Sequence, residues 1–374
     1  MTRLLGIVLV TLAALIVAAR AVAAPPPVTA RAFLVVNGST GEVLAARHAH
    51  ERVPIASITK LMTVLVALAR ARSLDQIVDV DSNASEVGES TIDLRAGEEI
   101  SVRDLVEAAL IQSANDAADA LADGLGGRTA FVAAMNARAK TLGLRDTTFV
   151  RPDGLDAPGH LSSAWDVTRL ARVAMHVPFV RDTVRQRTAT IAGGRRLYTW
   201  NDLLATFPGV IGVKTGHTGG AGWCEVAAAQ EPGTTIYATI LGSPSRAQRN
   251  ADLAALLHWG LDRYRVSRVI DARRTYAVAA APFGHAPLAL VARTAARHVV
   301  RVDRPLVERV AAATAVRLPV RAGAQLGSVR VYQDGRVLAV RPLIASRSIA
   351  RPSTSSRVAF YVRRTAKHVW GWFT

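Results

Sequence analysis

The sequence contains a single cysteine, Cys224, so an internal disulfide is impossible. We interpret this cysteine as a small buried hydrophobe. Histidines and the cysteine do not cluster at metal-site spacing, and His48 and His50 alternate in a polar stretch that favours solvation over metal binding. The sequence therefore predicts no disulfide scaffold, no metal centre and no cofactor.

Long apolar runs are also missing, apart from one near the start. Arg3 precedes an apolar core at 4–19, and the small residues AVA at 21–23 form a cleavage signal before three prolines. This pattern predicts a secretory signal peptide over residues 1–24. An uncleaved membrane anchor is the alternative, but sixteen residues are few for a membrane-spanning helix.

Acidic residues are scarce in the last part of the chain. Residues 267–374 contain 19 basic and 4 acidic side chains (+15), whereas residues 25–266 contain 25 of each and sum to zero. Compositional drift toward arginine would have made the first segment basic too. For an exported protein, a basic segment favours anionic envelope partners such as lipid headgroups or wall polymers over nucleic acid.

The 374 residues suffice for a large domain and a smaller one. Residues 25–266 mix apolar strands, such as GVIGVKTG and TTIYATILGS, with amphipathic helices, the last at 246–264. In residues 267–350, short valine-rich runs alternate with Gly and Pro turns, and Asp334-Gly335 between SVRVYQ and RVLAVR predicts a hairpin. This second segment is predicted to be a small all-β domain.

Residues 351–374 form a further segment, RVAFYVRRTAKHVWGWFT being its core. Val358, Val362, Ala366, Val369, Trp370 and Phe373 fall near one helical face, and the basic side chains fall mainly on the other. This pattern is typical of a helix in a membrane interface. A terminal helix docked on its own protein is the alternative.

Lysine is rare among the 46 basic residues, yet Lys60 follows Ser57 by three positions in ASITK. Residues three apart share a helical face, so the lysine amine can reach the serine hydroxyl. A serine needs a proton acceptor to become a nucleophile, and burial or a helix N-terminus can make a lysine neutral. Arginine stays protonated in proteins and could not do this. Alone, S-x-x-K is a weak signal.

Two further motifs follow in the chain. SAN at 113–115 interrupts a helical stretch, and KTG at 214–216 lies on an apolar strand just before His217. The ordered set S-x-x-K, S-x-N and K-T-G is the motif set of penicillin-binding proteins and serine β-lactamases. PIASITKLMT, LRAGEEISVRDLVEAALIQSANDAADALA and GVIGVKTGHTGGAGWCEVAAA make the chain resemble the D-alanyl-D-alanine carboxypeptidase family of low-molecular-weight penicillin-binding proteins.

The resemblance spans nearly the whole mature chain and is weaker in the β domain. It implies a mixed α/β fold, in which an antiparallel sheet is flanked by helices and followed by a β-sandwich-like domain and an amphipathic C-terminal helix. Asn37 stands where such chains often have aspartate, and Trp223 where tyrosine is common. Neither departure touches a motif residue.

The resemblance also implies roles for individual residues. Ser57 would form an acyl-enzyme, Lys60 would be its general base, and Ser113 would relay a proton to the leaving amine. The backbone N–H groups of Ser57 and His217 would form the oxyanion hole. The substrate-binding residues would be Asn115, Lys214, Thr215, Gly216 and Arg249.

Arg249 carries the weakest of these assignments, since a solvent-exposed arginine at a helix start is the alternative. The substrate of such an enzyme, a peptidoglycan pentapeptide, ends in a carboxylate. A pocket with Lys60, Lys214 and Arg249 would attract that group, and like-charge repulsion would keep Lys60 partly deprotonated. Covalent β-lactam inhibitors would react at the same serine.

Three other functions remain open. A β-lactamase shares the motifs, but the class A enzymes need a deacylating glutamate, and none lies between Ala117 and Lys214; Asp153, in RPDGLD, is interpreted as a turn residue. A DD-endopeptidase would use the same residues. A non-catalytic wall-binding protein predicts a degraded motif, whereas all three are intact.

Overall fold

A computed structural model of the chain describes residues 24–370. Within these residues the chain forms two compact units that meet in sequence at Asp262 and Arg263. The predicted signal segment, except its final residue, lies outside the described residues. The proposed division into segments 25–266, 267–350 and 351–374 stays a prediction.

The first unit is built on a five-stranded antiparallel sheet with the order β2-β1-β9-β8-β7. Two short ribbons, β3–β4 and β5–β6, lie outside it. The strands are β1 (Ala32–Asn37), β2 (Val43–Arg47), β3 (Ile77–Asp79), β4 (Glu99–Ser101), β5 (Thr188–Thr190), β6 (Arg196–Tyr198), β7 (Val210–Thr218), β8 (Gly222–Glu231) and β9 (Thr234–Ser243). Strand β7 is an edge strand, so one side of its backbone is open to an extended partner.

Helices accompany the sheet, as the mixed α/β prediction requires. They are α1 (Lys60–Arg70), α2 (Ser82–Ser85), α3 (Val102–Glu107), α4 (Asn115–Gly124), α5 (Arg128–Thr141), α6 (Ala164–Ala174), α7 (Pro178–Thr183), α8 (Leu203–Thr206) and α9 (Arg246–Leu261). Serine side chains cap the first turns of α3, α6 and α9 by accepting backbone N–H bonds. These caps fix where each helix begins.

Helix α1 is buried on all sides over its first eight residues, Lys60–Ala67. A helix that is apolar all round belongs in a core, and α1 packs within a single large cluster of buried side chains from both sheet and helices. A 3₁₀ turn, Ala56–Thr59, leads into α1. The N-terminus of this helix is therefore held at the centre of the unit.

The second unit is all-β apart from one terminal helix. Its sheets have the orders β11-β12-β16-β15-β14 and β10-β13. The strands are β10 (Tyr264–Ile270), β11 (Thr275–Ala279), β12 (Leu288–Ala292), β13 (Ala296–Arg301), β14 (Leu306–Ala312), β15 (Gln325–Gln333) and β16 (Arg336–Ala345). The predicted hairpin is confirmed: β15 and β16 pair around Asp334 and Gly335, both with positive φ, as a type I′ turn requires.

The terminal helix, α10 (Thr354–Trp370), confirms that the last segment is helical. Its apolar side chains Val358, Tyr361 and Val362 are exposed. The rings of Phe360 and Tyr361 contact Phe283, with centroids 5.9 and 6.2 Å away. No helix in residues 24–370 has the length and apolar character needed to cross a membrane.

Candidate active site

Ser57 and Lys60 meet as their spacing predicts. Ser57 lies in the 3₁₀ turn before α1, and Lys60 is the first residue of that helix. The Nζ atom of Lys60 is 2.8 Å from Oγ of Ser57. A proton can therefore pass directly from the hydroxyl to the amine if the amine is neutral.

Lys60 is completely buried. Its Nζ also contacts Oδ1 of Asn115 and the carbonyl oxygen of Asp153, each at 2.6 Å. Burial lowers the pKa of Lys60 to about 8, because the buried site disfavours the charged amine. At pH 7, one unit below this pKa, about a tenth of the amine is therefore neutral.

Of the causes expected from the sequence, burial is confirmed as the one that lowers the pKa of Lys60. Repulsion by Lys214 and Arg249 was expected to contribute but does not, and the nearby acids Asp153 and Asp119 oppose the shift. Arg151 holds the carboxylate of Asp153 through two short contacts of 2.6 and 2.5 Å. Asp153 lies in a bend of the chain, where its carboxylate also accepts the backbone N–H of Leu155, and its carbonyl oxygen orients Lys60.

Ser113 lies in the break between two helical segments. A π-helical turn, 108–112, ends at Ser113, whose left-handed φ of 65° stops the helix before α4 starts at Asn115. Oγ of Ser113 accepts a hydrogen bond from Nζ of Lys214 at 2.8 Å. The predicted interruption at SAN thus directs the side chain of Ser113 toward Lys214 on β7 and the side chain of Asn115 toward Lys60.

Lys214 is buried beside Lys60, and the pKa of Lys214 lies well below its ordinary value because of burial and the charge on Lys60. It lies on the edge strand β7, next to Thr215 and Gly216. Thr215 and Gly216 line the same cavity as Ser57, Ser113 and Asn115, which has a volume of about 190 Å³. The structure thus brings all three motifs to one cleft.

Gly216 permits the close approach of β7 to the nucleophile turn. A Cβ at this position would lie 2.7 Å from the carbonyl oxygen of Ile55 and 3.1 Å from the backbone nitrogen of Ser57. Real Cβ atoms do not come within 3.0 Å of a backbone oxygen. Only glycine therefore fits between the strand and the turn without moving one of them.

Arg249 is buried, with 1% of its surface exposed, so the alternative of a solvent-exposed arginine at a helix start is wrong. Its Nε is 3.0 Å from Oε2 of Glu225, and its Nη2 is 3.2 Å from Oδ2 of Asp202. The guanidinium lies 5.6 Å from the ring centroid of Trp223 and lines the cleft. The sequence predicted a positive pocket. In the structure, the carboxylates of Glu225 and Asp202 compensate the positive charge of Arg249.

Aromatic side chains form the outer walls of the cleft. The rings of His217 and Trp223 are 4.1 Å apart, and Trp200 donates its Nε1–H to the carbonyl oxygen of Gln112 at 3.0 Å. All three rings line the cavity. Cys224, next to Trp223, is buried as predicted, and burial raises the pKa of its thiol to about 12.

Comparison with known proteins identifies this arrangement. The family model described as D-alanyl-D-alanine carboxypeptidase, peptidase S11, matches residues 19–245. The chain belongs to the S11 peptidase family. The S11 assignment agrees with the resemblance seen in the three sequence motifs, and with the antiparallel sheet, flanking helices and separate all-β unit of the fold.

Individual S11 relatives and structures agree. The D-alanyl-D-alanine carboxypeptidase DacD of Salmonella typhimurium is 31% identical over 91% of this chain and 92% of its own length. A D-alanyl-D-alanine endopeptidase of Pseudomonas aeruginosa is 34% identical over 73% of this chain and 93% of its own. Penicillin-binding protein D2 of Listeria monocytogenes, in its ampicillin-bound form, is 34% identical with a TM-score of 0.58, covering 62% of this chain and 98% of its own.

Sequence reasoning missed several residues in or beside this S11 site, among them Glu89 and Ser90 of the cavity lining. Trp200 could not be placed, because it comes from a loop before α8 that is distant in sequence from every motif. Asp119 could have been found, since it lies one helical turn after Asn115 on α4. Glu225 could have been found as well, because it is an acid within the apolar run of β8.

Proposed function

We propose that the chain is a serine D-Ala-D-Ala carboxypeptidase that removes the terminal D-alanine from peptidoglycan stem peptides through an acyl-enzyme at Ser57. The observation that carries the proposal is the contact of Ser57 Oγ with the buried amine of Lys60, beside a cleft lined by Ser113, whose hydroxyl accepts a hydrogen bond from Lys214. Family membership supports the same chemistry.

Acylation begins with Ser57. Its Oγ attacks the carbonyl carbon between the two D-alanines while neutral Lys60 takes the hydroxyl proton. The developing negative charge on the carbonyl oxygen lies between the backbone N–H groups of Ser57 and His217. Such preorganised donors contribute roughly 3–4 kcal/mol to transition-state stabilisation.

Departure of D-alanine needs a proton on the leaving nitrogen. Oγ of Ser113 accepts a hydrogen bond from Nζ of Lys214 at 2.8 Å. We assign to Ser113 the relay of a proton to the amine, with Lys214 resupplying it. The proton that Lys60 took from Ser57 then replaces the one that Lys214 gave up, so that Lys60 is neutral again. Water attacks the ester and gives a proton to Lys60, and Lys60 returns it to Oγ of Ser57 as the serine leaves.

Substrate binding uses the edge of β7. The peptide lies along this strand as an added strand, and Gly216 keeps the strand close to the turn that carries Ser57. Asn115 Nδ2 carries two hydrogens, one of which Gly88 accepts at 2.9 Å; we assign the other to the substrate backbone. Lys214, Thr215 and Arg249 hold the terminal carboxylate.

A β-lactamase function is not favoured. Asp153, the acid nearest to Lys60 in its loop, has its carboxylate held by Arg151 and by the backbone N–H of Leu155. It therefore cannot serve as a free base for water. We accordingly expect β-lactams to acylate Ser57 and to leave slowly.

Product analysis tests the proposed activity against its nearest alternative. Purified protein incubated with a muramyl pentapeptide should release one equivalent of D-alanine, which mass spectrometry detects as loss of one alanine residue. A cross-linked dimer supplied separately measures endopeptidase cleavage. Exclusive cleavage of the dimer would show an endopeptidase, and cleavage of neither, with Ser57 unlabelled by penicillin, would indicate a binding protein.

We also propose that the protein is exported and lies on the outer face of the cytoplasmic membrane, held there by α10. Support comes from the N-terminal signal pattern, the +15 charge of residues 267–374 and the exposed Val358, Tyr361 and Val362 of α10. Basic residues near anionic headgroups contribute about 1 kcal/mol each to membrane binding.

Truncation after Ile349 tests this anchor. The shortened protein should no longer sediment with vesicles of phosphatidylglycerol, because the apolar face and the basic face of α10 are both lost. Fluorescent penicillin should label it at the same rate as the intact chain, which controls for folding. Sedimentation of the truncated protein at the level of the full chain would remove the anchor hypothesis.

A further inference from the structure

Glu225 is a buried acid next to the cleft but not in its lining. It lies on β8 directly opposite Thr215 of β7, and its side chain is fully buried. Its Oε2 is 3.0 Å from Nε of Arg249. No hydrogen bond of good geometry reaches either carboxyl oxygen within residues 24–370. The ion pair with Arg249 is thus its principal contact with the site.

Asp202 contacts the same guanidinium but has a different environment. Its carboxylate accepts hydrogen bonds from Arg246 at 2.6 and 2.8 Å and from Asn250 at 2.7 Å. These bonds lower the pKa of Asp202 and keep it ionised. Of the two acids behind Arg249, Glu225 is therefore the one whose charge can change at neutral pH.

We propose that Glu225 is a positioning residue that sets the preference for a free carboxylate at the end of the substrate. Ionised Glu225 compensates the charge of Arg249 from behind and weakens its attraction for that carboxylate. Protonated Glu225 leaves Arg249 a net positive group in the cleft. This inference rests on the proposed function.

The pKa of Glu225 is close to neutral pH. Burial is the main cause that raises it to about 7; the charges of Arg249, Lys214 and Arg246 oppose this rise, and the charge of Asp202 adds to it. These charged groups face it from α9, β7 and the loop before α8. The group is neutral below this pH and ionised above it, so preference for a terminal carboxylate should weaken as pH rises through 7.

Two matched peptides isolate this effect from the chemistry at Lys60. One peptide ends in D-alanyl-D-alanine as the free acid, and the other ends in the corresponding amide. The ratio of their kcat/KM values cancels the protonation of Lys60, which both need equally. For the wild type this ratio should fall roughly five- to tenfold from pH 6 to pH 8, as expected for switching one charge near a charged ligand.

The variant Glu225→Gln should keep the ratio at its pH 6 value throughout, because the amide remains neutral. The control Glu231→Gln, at the exposed end of the same strand, should follow the wild type. A pH dependence that persists in E225Q would assign the effect to Lys214 and overturn the inference. If fluorescent penicillin does not label E225Q, Glu225→Leu, a second neutral replacement, takes its place: a ratio that no longer changes with pH supports the inference, and a retained pH dependence, or a flat ratio in the wild type, overturns it.

Failure of this inference is distinguishable from failure of the proposed function. If the wild type releases no D-alanine from the free-acid peptide, the proposed function is wrong. If it releases D-alanine with a ratio that does not change with pH, the carboxypeptidase stands and only the role of Glu225 is lost.

Discussion

Replacing Lys60 by arginine should slow acylation of Ser57 by at least about 10³-fold, within the range that general bases contribute. The positive charge and length of the side chain are roughly kept, but arginine stays protonated and cannot take the hydroxyl proton. Stopped-flow measurement of fluorescent penicillin binding gives the rate directly. An acylation rate within tenfold of the wild type would contradict the role of Lys60 as base.

Lys140→Arg is the matched control, because Lys140 is exposed on α5. It should acylate at the wild-type rate. Circular dichroism and thermal unfolding of K60R separate a folded, inactive enzyme from an unfolded one, since a buried arginine costs stability.

The pH dependence of kcat/KM in the wild type is a further test of Lys60 as the general base. Because the pKa of Lys60 is about 8, kcat/KM for the amide-ended peptide should rise tenfold per pH unit below 8 and level off above it. The neutral amine is the active form, so activity increases as the proton leaves. A profile that falls across this range would mean that charged Lys60 is required.

Replacing Gly216 by alanine should lower kcat/KM by roughly 10²-fold or more, the cost of misplacing a catalytic group by about 1 Å. The added methyl meets the carbonyl oxygen of Ile55, which is backbone and cannot rotate away. Either β7 or the turn that holds Ser57 must move. Peptide hydrolysis and penicillin acylation should both decline, because they use the same serine.

Gly219→Ala is the control for this change. A Cβ there would meet nothing within 4 Å, so activity should match the wild type. A G216A enzyme as active as G219A would show that the approach of β7 to the Ser57 turn does not matter for catalysis.

Local spacing predicted the parts of the site that depend on local geometry. The three-residue interval between Ser57 and Lys60 follows from helical periodicity, and the hairpin at Asp334-Gly335 follows from turn chemistry. The family resemblance then placed Ser113 and Lys214 in one cleft.

What the sequence could not supply depends on packing between distant segments. The depth of Lys60, and hence the burial that lowers its pKa, comes from the elements that surround α1. The left-handed conformation of Ser113 could not be derived from the SAN motif. The compensation of Arg249 by Glu225 and Asp202 arises where β8, α9 and the loop before α8 meet.

Mass spectrometry of the protein after reaction with benzylpenicillin tests the central claim most directly. We predict an adduct with the mass of the intact inhibitor on the proteolytic peptide that contains Ser57, and fragmentation that assigns it to this serine. An adduct on any other residue, or no adduct on folded protein, would contradict an acyl-enzyme at Ser57.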